Sequence, residues 1–127
     1  MIKVIMLMKR RPGMTISEFR DYYENTHRVI GEKYLNGFAV KYIRRFINPL
    51  VDRAGNLTDP EYDVLMEIWY PDEETFKACG EKLSEPDIAK EIREDEEKIF
   101  DTRFMRSYTV DEFDSELTAW NFLNTCI

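Results

Sequence analysis

The segment IKVIMLMKRRPGMTISEF, residues 2–19, holds a strand, a turn and a helix start in close succession. Ile2, Val4, Met6 and Met8 fall on one alternating set, and Ile5 and Leu7 on the other. A strand that is apolar on both faces needs cover on both. Pro12-Gly13 is a turn signal that ends it. Thr15-Ile16-Ser17-Glu18 then has the capping-box pattern, in which the threonine hydroxyl and the glutamate carboxylate satisfy free amides at a helix start.

Beyond the cap, Ile16, Phe19, Tyr23, Thr26 and Ile30 recur at three- and four-residue spacing and draw one face of a helix. His27 lies beside this stripe, and Gly31 or Gly37 ends the helical region. A second strand is expected over 38–47, FAVKYIRRFI, followed by a Pro- and Gly-bearing loop over 48–61. A third, YDVLMEIWY at 62–70, sets Val64, Met66 and Ile68 on one face and Leu65, Glu67 and Trp69 on the other.

Pro71-Asp72 opens a helix with Phe76, Cys79 and Leu83 inward. Ser84-Glu85-Pro86-Asp87 restarts it, with serine as the cap and proline in the first turn. Ile88, Ile92 and Ile99 carry the buried face through residue 100, which leaves the acidic run Glu94 to Glu97 as the solvated side. A last strand over 103–110 leads into a tail, so the chain divides into a domain over 1–112 and an extension over 113–127.

The order of elements is that of an α+β, ferredoxin-like split βαβ fold with an antiparallel sheet. Both helices can cover only one face of that sheet, which leaves the opposite face apolar and open. A homodimer packed sheet to sheet would bury that face. In the competing arrangement the tail folds over it, using Trp120, Phe122 and Leu123.

At 127 residues the chain suits one domain that buries roughly two-thirds of its unfolded surface. A formal charge of −7 argues against nucleic acid as a partner, and Lys9-Arg10-Arg11 reads as a solvated strand end. Cys79 and Cys126 lack metal-like spacing, and there is one histidine, so no metal site is expected. Cys79 reads as a buried apolar residue, with a nucleophilic role as the alternative. The first apolar run is far shorter than the roughly 20 residues of a membrane span. A cytoplasmic protein without membrane contact is the expectation.

Three stretches resemble the EthD-domain family. PGMTISEFRDYYENTH (12–27) is similar to its opening signature, EYDVLMEIWY (61–70) to its third strand, and SEPDIAKEIREDEEKIFDTRFMRSYTV (84–110) to its closing helix and strand, with Asp95-Glu96 and Phe100-Asp101 in place. The resemblance covers about residues 1–112 and implies a dimeric α+β barrel. It also implies chemistry on hydrophobic rings without metal or organic cofactor: decarboxylation or dehydration of polyketide aromatics, lactone isomerisation, or cofactor-free oxygenation. The sequence departs from the family where His27 is followed by Arg28-Val29-Ile30, in the pair Tyr22-Tyr23, and in the tail.

Such chemistry needs a group that trades protons near neutral pH, and an imidazole does so unperturbed. His27 occupies the family's histidine position and is the expected acid–base; the plainer alternative is a histidine bonded to its own helix. Glu67 is the second catalytic candidate, orienting His27 or acting as an acid, or else pairing structurally with Arg44 or Arg106. Tyr22, Tyr23 and Trp69 are candidate substrate contacts, although each taken singly reads better as a core aromatic. Asp95 and Asp101 suit capping or ion pairing better than catalysis. The expected activity is that of a lyase on an aromatic or polyketide-like ring. A cofactor-free monooxygenase, a lactone isomerase and a non-catalytic small-molecule binder are the rivals.

Overall fold

The computed structural model describes residues 1–119. The capping box forms as its residues require: Thr15 Oγ1 accepts the Glu18 N–H at 3.1 Å, and Glu18 Oε1 accepts the Thr15 N–H at 3.2 Å. It launches α1 (Ile16–Tyr22), which runs into a π-helical turn (Tyr23–His27) and then α2 (Arg28–Leu35). The helix passes through Gly31 and stops at Leu35, just before Gly37, whose φ of +92° lies in the left-handed region that favours glycine.

The strands are β1 (Ile2–Met8), β2 (Lys41–Phe46), β3 (Val64–Tyr70) and β4 (Arg106–Thr109). They form one antiparallel sheet in the order β2-β3-β1-β4, the arrangement of a ferredoxin-like fold. The segment over 48–61 carries no regular structure. β4 is shorter than the sequence suggests because Asp101 caps a 3-10 turn over Thr102–Phe104, accepting the Arg103 N–H at 3.3 Å.

The second helical segment is α3 (Glu73–Leu83), capped by Asp72, and α4 (Pro86–Ile99). Ser84 does not cap α4. Its hydroxyl donates to the Gly80 carbonyl at 2.8 Å and closes α3 instead, leaving Glu85 at the start of α4. The C-terminal end of α4 is tied to the sheet by the Arg11 N–H to Ile99 O at 2.8 Å and the Asp101 N–H to Lys9 O at 2.9 Å.

The core lies between the helices and one sheet face. Phe19 meets Tyr23, Phe46 and Phe100 edge-on at 5.9 to 6.2 Å, and Met8, Val64 and Ile99 are fully buried around them. Each such aromatic pair contributes about 0.5–1.5 kcal/mol beyond the area it buries. Ile5, Leu7, Ile43 and Leu65 alternate to the other face, away from the helices. Trp120, Phe122, Leu123 and Cys126, and with them the proposed cover by the tail, lie outside the described residues.

Candidate functional site

The site begins with the π-helical turn. The Arg28 N–H reaches back five residues to the Tyr23 carbonyl, so the helix widens by one residue just where His27 stands. His27 is thereby set edge-on against Tyr23 at 4.9 Å and Phe100 at 5.1 Å. Two rings fix the imidazole plane, and its side chain is only 12% exposed.

α4, packed beside this turn, presents Asp95, whose Oδ2 lies 2.7 Å from His27 Nδ1. The Tyr22 hydroxyl donates to the other oxygen, Oδ1, at 2.5 Å. A carboxylate only accepts hydrogen bonds, so Nδ1 carries the proton and Nε2 is left with its lone pair. Nε2 has no protein partner among the described residues and is not one of their fully buried, unpartnered atoms. Burial drives the His27 pKa below its ordinary value of 6.5, and the Asp95 charge opposes that fall without cancelling it. Burial first, and Asp95 second, push the Tyr22 phenol up to about 12, so it stays a donor.

His27 opens on a cavity of about 350 Å³ between the helices and the sheet. Met6, Met8, Met66 and Ile68 form its sheet side. Ile30, Tyr34, Ile92 and Glu96 face them from the helices. Gly31 allows a close approach here: a Cβ on it would stand 2.9 Å from the Tyr42 hydroxyl, which also borders the cavity. The lining is apolar with a few polar groups, as small-molecule sites usually are.

Of the residues singled out from the sequence, the structure brings His27 and Tyr22 together through Asp95. Tyr23 is wholly buried beneath the imidazole and does not border the cavity. Glu67 and Trp69 alternate with Met66 and Ile68, which places them on the opposite sheet face. The expectation that Glu67 orients His27 is therefore corrected: Asp95 is the carboxylate that does so. Glu67 is held by Arg45 at 2.6 Å rather than by Arg44 or Arg106, and Arg44 pairs with Glu24 instead. Burial opposes Glu67 ionisation, yet the Arg45 guanidinium keeps its pKa below the usual carboxylate value. Trp69 lies between two ammonium groups, Lys3 at 3.8 Å and Lys41 at 4.3 Å from its ring.

The acidic run Glu94 to Glu97 is not all solvated. Asp95 is buried and Glu96 half-buried in the cavity wall, while Glu94 and Glu97 are exposed. A signal for this exists in the sequence: Ile88, Ile92, Asp95 and Ile99 fall at four-, three- and four-residue steps on one helix face. Cys79 is fully buried, receives the Tyr70 hydroxyl at 3.6 Å, and has its thiol pKa raised by burial, which suits a core residue and not a nucleophile. Among the described residues, no group of three or more His, Cys, Asp and Glu side chains is arranged to hold a metal ion. No helix among them is long and apolar enough to cross a membrane.

Comparison with known proteins gives a family and a fold. The family model for the EthD domain matches residues 11–103. The fold is similar to that of an EthD family protein from Bacillus halodurans C-125, with TM-score 0.60, 17% identity, and 89% of this chain and 100% of that one covered. HapK from Hahella chejuensis is similar with TM-score 0.55 and 11% identity, covering 94% and 99%. An antibiotic biosynthesis monooxygenase is similar with TM-score 0.51 and 13% identity, covering 90% and 100%. No curated protein matches the chain.

Proposed function

We propose a function from one premise: the chain belongs to the EthD-domain family. It is a small enzyme that works on a hydrophobic, aromatic or polyketide-like ring by proton transfer through His27, in a lyase reaction. The observation that carries this reading is the imidazole held at Nδ1 by Asp95 and bordering an apolar cavity with its other nitrogen available. Nε2 takes a proton from a C–H beside a ring carbonyl or from a phenol. Asp95 stabilises the imidazolium that forms, and Tyr22 keeps Asp95 in place. The ring system itself spreads the developing negative charge.

His27→Ala tests the reading on any ring compound the protein turns over. The reading expects turnover to fall roughly two to four powers of ten with little change in binding. Oxygen consumption matching substrate loss would favour a monooxygenase, and unchanged ligand affinity with no turnover in either form would favour a binding protein.

The same reading includes a homodimer packed through the open sheet face. Its support is the set Ile5, Leu7, Ile43 and Leu65, apolar side chains that alternate away from the helices of the described residues. A cytoplasmic setting is part of the proposal and agrees with a buried, unpaired Cys79.

A further inference from the structure

Tyr42 is the one residue of β2 on the cavity wall, and its register partner Ile68 borders the same volume. Its hydroxyl end reaches α2 at Gly31, where there is no Cβ to meet it. An added Cβ there would stand 2.9 Å from the hydroxyl oxygen and 3.0 Å from two ring carbons, so any larger residue would displace the phenol. Gly31 follows His27 by four residues and borders the cavity too. The Tyr42 hydroxyl therefore stands about one helical turn, roughly 5–6 Å, along the cavity from the imidazole.

The Tyr34 hydroxyl is engaged with Glu91, whereas that of Tyr42 makes no contact of hydrogen-bond geometry among the described residues and is not one of their fully buried, unpartnered atoms. A phenol ordinarily ionises near 10 and burial raises Tyr42 further, so its hydroxyl is protonated at neutral pH. Behind it lies a second phenol. Tyr23 is wholly buried and its hydroxyl has no partner, yet it and Tyr42 each act on the other's ionisation, which places the two hydroxyls side by side. A buried O–H without an acceptor is costly, and the Tyr42 oxygen is the acceptor at hand. When Tyr23 donates to it, the Tyr42 proton is turned toward the cavity and strengthened as a donor.

We propose that Tyr42 is a second catalytic residue: its hydroxyl donates to the carbonyl oxygen of a cyclic ketone whose adjacent C–H gives its proton to His27. The inference rests on the cavity being the ring-binding site described above. His27 Nε2 offers a lone pair and Tyr42 offers a proton one turn away, and an acidic C–H beside a carbonyl oxygen presents the matching pair. As the C–H bond breaks, its proton bonds to Nε2 and its electron pair becomes the C=C bond of an enolate. The charge gathers on the carbonyl oxygen, where the Tyr42 O–H meets it while keeping its own proton. The imidazolium then returns the proton to a ring carbon, and no electron acceptor is needed.

Binding of 1-tetralone and tetralin to wild type and Tyr42→Phe tests the assignment, because the two compounds share a ring system and differ by one carbonyl oxygen. The single imidazole resonance reports whether each occupies the cavity. Tyr42→Phe is expected to weaken 1-tetralone by about fivefold or more and to change tetralin by less than about twofold. The carbon-13 signal of the bound carbonyl is expected further downfield in wild type than in Tyr42→Phe, as donation to its oxygen requires. An unchanged ratio of the two affinities, including equal weakening of both by a disturbed cavity, would overturn the role of Tyr42 and leave the cavity reading standing. So would a carbonyl signal that is the same in both forms. If neither compound perturbs the imidazole, the cavity reading itself is overturned, and this inference with it.

Discussion

His27 and Asp95, 68 residues apart in the chain, meet with Nδ1 and Oδ2 2.7 Å from each other where α4 packs against the π-helical turn. This contact fixes the imidazole tautomer and, in the proposed proton abstraction, would give the positive charge that forms a partner. It is also the one contribution to the His27 pKa that raises it against burial.

Asp95→Asn should therefore do two separable things. Turnover falls by roughly one to three powers of ten, because the imidazolium loses its counter-charge. The acidic limb of the kcat/KM profile moves to lower pH, because burial then acts on His27 without opposition. A steady-state pH series on wild type and variant checks both effects together. A purely structural Asp95 would lower activity without moving the limb.

Glu67 gives the opposite expectation. It is 5% exposed and paired with Arg45, on the sheet face away from the cavity. Glu67→Ala should cost about 1–2 kcal/mol of stability by denaturant titration, since it removes a charge-assisted hydrogen bond. Turnover per folded molecule should stay within about threefold of wild type, because nothing in the proton-transfer step passes through it.

The two cavity groups should leave opposite marks on stability against pH. The folded-state pKa of His27 lies below 6.5, so the unfolded chain takes up its proton first as the pH falls through 6.5, and the native state loses stability there. Glu96 has a folded pKa above its ordinary 4.5, so stability is lost as the pH rises from 4.5 through the raised value. Thermal melts of His27→Gln should lack the first loss. Glu96→Gln should melt higher than wild type at pH 7, with the gap closing below pH 4.5.

The open sheet face supplies a test of assembly. Ile43→Asp puts a charge on this face from the edge strand β2, opposite Glu67 in the register. Sedimentation of wild type is expected to give a dimer and of the variant a monomer. A wild-type monomer at micromolar concentration would contradict the proposed interface.

Most of the fold was legible in the sequence because its elements are signalled locally. Thr15 and Glu18 cap the first helix, and Val64, Met66 and Ile68 alternate along β3, as short-range physics requires. The second cap failed where two local choices competed: the Ser84 hydroxyl could start α4 or finish α3, and it bonds the Gly80 carbonyl.

The site was legible only in part. His27 stands out as the single imidazole, but its carboxylate partner depends on how α4 is turned against the first helical segment. Glu67 attracted attention as a charge in a strand. Asp95 was hidden within an acidic run whose average character is solvated, although its phase with Ile88, Ile92 and Ile99 places it inward. The π-helical turn has no simple sequence signature and shifts the face on which His27 emerges.

The central claim is a neutral imidazole, protonated at Nδ1 by virtue of Asp95, with Nε2 open to a ring-binding cavity. Because the chain has one histidine, nitrogen NMR of the labelled protein reads that group without assignment. The account predicts the Nδ1–H tautomer at pH 7, a titration midpoint below 6.5, and a shift of the Nε2 signal on addition of 1-naphthol. An Nε2–H tautomer, or a midpoint at or above 6.5 with no response to the ligand, would contradict it.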